Sequence, residues 1–468
     1  METEHDATRW TPGALARAMR DLYRADPGEF WYRCLFWSFW SHLAFFPLGY
    51  GWREVMPVIN GIFLVLYYRH RWQDSVLRRL PLLPLFCCFW AMIVLGVVFS
   101  RAPLDSFLHA CMGLNKAYIL PFIAMECVRG LKDLKRLVWA CVIVLFWEGI
   151  DGVWQWFTGY DFIMGYPLNK GRLTSSLDDY WVGNYVAMVL VPAFGLVYML
   201  RRTMPAAKVC AIYVLLTWPA YFLFVGAAAR AGLFALVGTV VLWLLLTRRR
   251  FSWAFILVPA ALVALFLLLQ PRHGILNVLH DGRWSLWGLA IAVFRAHPIF
   301  GAGIFQYNAA FRELGLKPAR DAITISHPHN IYLDLLCSHG VVGTALGLAF
   351  LFGVLYWGLR HLAPRLGAIS RGEYPSGLPD SEEPGRSALW WRLTGLFFLG
   401  YVAWLLDGVF GHDFYRIWWL ALAMAHLGVG IGGICRGLDG ERAGASPPEE
   451  PASPGPGGPA AHAPPDAS

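Results

Sequence analysis

The sequence predicts an all-α polytopic membrane protein of about twelve transmembrane helices, with one long outer loop that holds short interfacial helices. Three observations predict it. The 468 residues are 57% hydrophobic and only 15% charged, with 23 Trp and 31 Phe. Apolar runs of bilayer-spanning length recur along most of the chain. Basic residues gather in alternate short connections between those runs, as they do where the positive side of a membrane protein is cytoplasmic.

Residues 1–30 precede the first run. Thr11-Pro12 provides a cap and a first helical residue, and Leu15, Met19, Leu22 and Tyr23 recur with Arg17, Arg20 and Arg24 between them. This is a short basic amphipathic helix, either resting on the anionic cytoplasmic leaflet or simply solvated. The segment lacks an apolar signal core, so no cleaved signal peptide is expected.

Nine spans follow within 31–270, at about 31–50, 54–69, 81–100, 105–127, 134–157, 181–200, 209–226, 229–247 and 251–270. Residues 271–329 form the long outer loop. Three further spans fill 330–436, at about 330–359, 389–408 and 413–435, with a flexible cytoplasmic insert at 363–387. The tail 437–468 is rich in Pro, Gly, Ala and Ser, a composition that predicts disorder.

With the N-terminus inside, 26 of the 39 lysines and arginines fall on the cytoplasmic side. They include Arg69, Arg71, Arg78 and Arg79, the group from Arg129 to Arg136, and Arg248 to Arg250. Both termini are then cytoplasmic. The net charge of +8 is distributed over short loops, not over one soluble face, which excludes nucleic-acid binding. The nine cysteines lie in or beside apolar runs, without Cys-x-x-Cys or zinc spacing, and read as packing residues.

Chemistry concentrates where the last long loop meets the tenth span. Ile325-Ser326-His327-Pro328-His329-Asn330-Ile331-Tyr332 places two histidines and an asparagine at the membrane surface, where extended chain turns into helix. Imidazole at such a position can move protons near neutral pH, or it can be an idle interfacial side chain. Upstream lie Arg283-Trp284-Ser285-Leu286-Trp287 and His297-Pro298-Ile299-Phe300-Gly301-Ala302-Gly303; downstream lies Ser338-His339-Gly340-Val341-Val342-Gly343.

Arg230 stands in a small-residue turn between two spans, Gly226-Ala-Ala-Ala-Arg-Ala-Gly. An arginine so near hydrocarbon costs ~2.5–3.5 kcal/mol if central, so it needs an anionic partner or must reach lipid phosphate. Arg283 follows Asp281-Gly282, with Asp281 as the candidate N-cap of an interfacial helix that aligns Trp284, Trp287, Ile291 and Phe294. Guanidinium groups clamp phosphate oxygens in a bidentate fork, so two of them on one surface point to a diphosphate. Arg172, in Gly171-Arg172-Leu173-Thr174-Ser175-Ser176, is either a third phosphate contact or a structural loop arginine. Lys116 is expected to pair with Glu126 or Glu148, and Asp407, His412, Asp413 and Arg416 to line an acceptor entry.

The succession from Arg230 to Phe352 resembles the signature region of the O-antigen ligase and O-antigen polymerase superfamily of bacterial membrane glycosyltransferases. Ala229 and Ala231 depart from the family's Ser-Arg-Gly turn, and Asp178-Asp179-Tyr180 stands where a Pro-Asn pair is common. The resemblance implies an enzyme of the inner membrane whose site faces the periplasm, so that 271–329 is a periplasmic loop. It implies a donor glycan on undecaprenyl diphosphate, gripped by Arg230 and Arg283. It also implies inverting transfer, with His329 orienting or deprotonating the acceptor hydroxyl. His327 and Asn330 are further candidate substrate contacts, and His297 reads as structural. The implied acceptor is lipid A–core for a ligase, or another lipid-linked glycan for a polymerase. Protein O-oligosaccharyltransferases share the region. A transporter of the same lipid-linked glycan is the rival of a different class, though it has no need of a histidine at a helix start. No Asp-x-Asp or Glu-x-Asp pair occurs in an outer loop, so no metal and no cofactor are expected.

Overall fold

The computed structural model describes residues 12–111, 115–177, 182–247, 261, 283–318, 327–373, 384–412 and 414–445. Among these the chain is all helical, with two isolated β-bridges and no strand. The helices are α1 (Pro12–Ala25), α2 (Pro27–Ala44), α3 (Tyr50–Arg71), α4 (Leu83–Val98), α5 (Pro103–His109), α6 (Asn115–Glu126), α7 (Leu131–Thr158) and α8 (Val182–Ala193). Then come α9 (Gly195–Leu200), α10 (Ala206–Gly226), α11 (Arg230–Thr247), α12 (Arg283–Ala296), α13 (Tyr307–Glu313), α14 (Ile331–Ser370), α15 (Pro384–Asp407) and α16 (Ile417–Ala445).

Among the described residues seven helical stretches are long and apolar enough to cross a membrane: α7, α8 together with α9, α10, α11, α14, α15 and α16. The expected count of twelve is not met among the described residues, for reasons that differ by position. α3 carries Arg53, Glu54, Asn60, Arg69 and Arg71, which dilute its apolar content. α4 has 16 residues, about 24 Å at 1.5 Å per residue, short of a hydrocarbon core of ~30 Å. The span expected at 105–127 is two pieces, α5 and α6, of 7 and 12 residues. The span expected at 251–270 falls almost wholly outside the described residues, as do Asp178, Asp179, Tyr180, Asp281 and Asp413.

α15 and α16 are the most enclosed of the spanning helices. Gly428 and Gly432 bring α16 so close to α6 that a Cβ at Gly428 would meet the Pro121 backbone and one at Gly432 the Met125 backbone. Small residues permit such backbone approach where both helices are surrounded by hydrocarbon and burial alone cannot drive association. α15 packs in turn on α16, α11 and α8, and α14 on α4 and α12.

Two helices run past their expected ends. α14 continues to Ser370, into the segment read as a loop from 363, and α16 continues to Ala445, into the segment read as a tail from 437. The extensions support each other: Arg365 Nε donates to Glu441 Oε1 at 2.8 Å, and Arg365 lies over the Trp391 ring of α15. A bidentate pair between two helix extensions is invisible to a local reading of Pro, Gly and Ser content.

Lys116 corrects a second expectation. It pairs with Glu54 of α3 and lies 5.7 Å from the Trp418 ring. Glu126 is ten residues further along α6, about 15 Å. There it accepts the Val76 N–H at 2.8 Å and the Tyr68 hydroxyl at 3.1 Å. Glu148 accepts the Ser176 hydroxyl at 2.6 Å.

Contacts between loops divide them into two ends of the bundle. At one end Ser176 Oγ donates to Pro47 O, Leu173 N–H to Gly226 O and Arg101 N–H to Ala302 O. At the other end Arg436 reaches Glu126, and Arg129 reaches Glu29 at 2.8 Å. Reporter fusions at Thr247 are therefore expected to read cytoplasmic and fusions at Lys317 external; the same compartment for both would overturn the two-ended layout.

Candidate active site

The Pro298–Gly303 loop and the start of α14 are built as one interlocked unit. α14 is broken at Gly340, whose φ of 59° and ψ of −162° belong to a region open in practice only to glycine. The break withdraws the amide partners of the carbonyls one turn earlier, and the loop supplies replacements. Ala302 N–H donates to Cys337 O and Gly303 N–H to Ser338 O, both at 2.9 Å. In exchange Val341 N–H donates to Pro298 O at 2.8 Å and Val342 N–H to Ile299 O at 3.1 Å. Four backbone groups that a kinked helix would leave unsatisfied in an apolar setting are thereby paired. This fixes α12, which leads into the loop, against α14.

The N-terminus of α14 is the second anchor. Asn330 is its N-cap: its Oδ1 accepts the Tyr332 and Leu333 N–H groups at 2.9 Å each, and its Nδ2 donates to Val409 O at 3.0 Å. Asn330 is extended, but His329 before it is not; its φ of 54° is left-handed, where extended chain was expected. His329 N–H donates to His327 Nδ1 at 3.3 Å and the two rings lie 4.1 Å apart, so His327 shapes the turn that aims His329. Histidine is among the few non-glycine residues enriched in this region, at a cost of about 1–3 kcal/mol.

The hairpin 408–416 between α15 and α16 closes over this turn. Ile331 N–H donates to Gly408 O at 2.8 Å, and Phe414 N–H donates to Asp334 Oδ2 at 3.0 Å. Tyr415 bonds its hydroxyl to His339 Nε2. Asp407 Oδ2 lies 3.2 Å from His412 Nε2, and both side chains are 0% exposed, so they hold the hairpin from within and do not line an acceptor entry as expected. Arg416 of the same group is half-buried and close enough to act on His329.

The hairpin also brings the two arginine-bearing helices together. Phe410 lies 5.5 Å from Phe234 and 5.9 Å from Trp287, ring centre to ring centre. Phe234 is one helical turn after Arg230 and Trp287 one turn after Arg283, so each ring shares a helix face with its arginine. One phenylalanine thus joins the first turns of α11 and α12. Arg230 is exposed at the start of α11, after a turn in which Ala228 has a φ of 52°. Arg172 is half-buried in a two-residue turn closed by Asn169 and Arg172, and the next residue, Leu173, is bonded to the turn before Arg230.

Electrostatics follow from this arrangement. Burial first, then the neighbouring His327, then Arg283 and Arg416 push the His329 pKa from 6.5 down to about 2, while a backbone hydrogen bond with Gly411 works the other way. The imidazole is therefore neutral at physiological pH. Among the described residues no group of three His, Cys, Asp or Glu side chains is placed to hold a metal ion.

Sequence reading named Arg230, Arg283, His329 and Arg416; the structure sets Arg283 and Arg416 near His329, and Arg230 on the helix whose Phe234 meets Phe410. It missed Phe410 and Gly411. Their only local signal is an aromatic bracketed by glycines in Gly408-Val409-Phe410-Gly411, a pattern common in any tight turn. Asn330, expected to touch substrate, spends its carbonyl oxygen on the cap and an amide hydrogen on Val409.

No curated protein matches the chain. A family model described as O-antigen ligase matches residues 212–348, the stretch that holds Arg230, Arg283, His329 and both halves of the Gly340 interlock. That match supports placing the protein in the O-antigen ligase/polymerase superfamily of membrane proteins.

Proposed function

We propose that the protein transfers a glycan from undecaprenyl diphosphate to an acceptor hydroxyl on the periplasmic face of the inner membrane, without a metal. The observation that carries this reading is the convergence of α11 and α12 on Phe410, with Arg283 and Arg416 beside His329. Arg230 and Arg283 hold the diphosphate. The acceptor oxygen attacks the anomeric carbon from the face opposite the leaving group, and the carbon–oxygen bond to phosphate breaks with inversion. The electron pair passes to the diphosphate, where guanidinium charge stabilises it. His329 accepts the hydroxyl proton. A neutral imidazole has the lone pair this needs, and an anion between the arginines offsets the charges that depress its basicity.

The leading acceptor is lipid A–core, which makes the protein a ligase. Polymerisation onto a second lipid-linked glycan is the alternative, and supplying the purified protein with each acceptor in turn decides between them. Arg230→Ala and Arg283→Ala are expected to weaken donor binding and lower turnover by roughly 10-fold or more each, with lysine restoring part because it loses the fork geometry. Donor affinity in detergent, with excess chelator throughout, is the measurement. Undiminished affinity in both alanine variants, or turnover that vanishes with chelator and returns with magnesium, contradicts the assignment.

A further inference from the structure

A second basic site lies at the far end of α14. His361 is thirty residues beyond Ile331, roughly 45 Å along the helix from the His329 turn. There a cavity of about 570 Å³ is lined by Arg79, His361, Arg436 and Arg442, and by two acids, Asp74 and Asp439. Trp357, Val76, Pro81 and Leu438 give it an apolar wall.

The two acids already have partners. Asp439 lies 3.6 Å from Arg442, and Asp74 lies 3.6 Å from Arg71. Glu126, buried behind Arg436, accepts two backbone N–H groups and the Tyr68 hydroxyl, and its 3.5 Å contact with Arg436 Nη2 is the longest of its four bonds. Arg436 Nε is enclosed with no hydrogen-bond acceptor among the described residues. The Arg79 side chain, on the turn Leu77–Arg79, has no carboxylate partner among them. Two guanidinium groups on separate elements therefore line one cavity, Arg79 without a carboxylate partner among the described residues and Arg436 held to Glu126 only at 3.5 Å. The chemistry that satisfies both is an oxyanion with several acceptor oxygens.

We propose that this cavity binds a phosphate group through Arg79 and Arg436. Two sources share that chemistry. The basic-residue count puts this end at the cytoplasmic surface, where anionic phospholipid headgroups lie at the depth of Arg79, and the apolar wall suits their glycerol and acyl portions. Soluble phosphate reaches the same surface from the cytoplasm.

The test uses the full chain in detergent. In one arm inorganic phosphate is titrated by calorimetry; in the other, delipidated protein is offered phosphatidylglycerol or neutral diacylglycerol in mixed micelles and bound lipid is read by native mass spectrometry. Arg79→Ala is expected to weaken binding about 10-fold or more, the size of one lost charge-assisted hydrogen bond. Arg79→Ala with Arg436→Gln should weaken it further, and Lys132→Ala, an exposed lysine elsewhere at this end, should not. Retention of phosphatidylglycerol but not diacylglycerol, unchanged by millimolar phosphate, identifies the lipid source; a calorimetric signal lost in Arg79→Ala identifies the soluble one. Arg79 is exposed, so its alanine variant keeps the fold and remains informative if the double variant does not. Binding that persists equally in Arg79→Ala in both arms, or no binding by the unaltered protein, overturns the proposal. Because Arg230 and Arg283 are untouched, failure here leaves the glycan-transfer reading intact.

Discussion

His329→Asn protein is expected to fold in normal yield and bind donor as the parent does, while its single-turnover rate falls by roughly 10²–10⁴-fold, the range for a general acid–base group. Asparagine is the informative replacement because it tolerates the left-handed backbone that position 329 requires, whereas alanine adds a conformational cost unrelated to chemistry. Full activity in His329→Asn ends the catalytic role. Low folded yield with normal specific activity assigns the histidine to structure instead.

The pH dependence supplies a second signature of the same residue. Its pKa of about 2 in the free protein means no limb near 6.5 from His329 in kcat/KM. Donor binding sets an anion against Arg283 and Arg416, so the limb in kcat should move upward. The stability sign is opposite to that of a salt-bridged histidine. The unfolded chain takes up a proton below 6.5 that the folded site refuses until about 2, so acidification through that window favours unfolding. His329→Asn should be less sensitive there.

Gly340→Ala is expected to have the largest effect on stability, above roughly 4 kcal/mol, and to abolish activity through the fold. A Cβ at 340 would overlap the Ile299 carbonyl and sit 2.6 Å from the Gly301 nitrogen, and neither is a flexible side-chain end. Its backbone region also excludes other residues at about 1–3 kcal/mol. Relief requires separating loop from helix, which breaks the four exchanged backbone hydrogen bonds and frees α12 to carry Arg283 away from His329. Gly367→Ala, in the same helix, provides the contrast. Its Cβ would meet only Arg371 Nη1 at 3.6 Å, so the change should be neutral or stabilising by up to about 1 kcal/mol. Thermal unfolding in detergent compares the two, and equal melting temperatures would refute the interlock.

The match between sequence and structure is closest where chemistry is local. Hydropathy and loop charge predicted the membrane class, and the motif around His329 predicted a helix start there. The Arg230 turn and the helix opened by Arg283 were legible from small residues and from aromatic spacing. Reading failed where an apolar or charged residue had several equally good uses. Lys116 had acids available at 54, 126 and 148, and hydropathy does not say which helix ends share a level in the bilayer. Asp407 and His412 resemble entry-lining polar residues in sequence and prove to be enclosed.

By itself, then, the sequence determined that this chain lives in a bilayer and that Arg230, Arg283 and His329 lie at helix starts. Each of these depends on the transfer free energy or backbone preference of a few neighbouring residues. Only the tertiary structure decided that Phe410 joins the two arginine helices, that Gly340 and the Pro298–Gly303 loop exchange hydrogen bonds, and that α14 and α16 prolong each other through Arg365 and Glu441. Those pairings join distant parts of the chain. In a chain this apolar, lipid-facing and protein-facing side chains have the same hydropathy, so only packing distinguishes them.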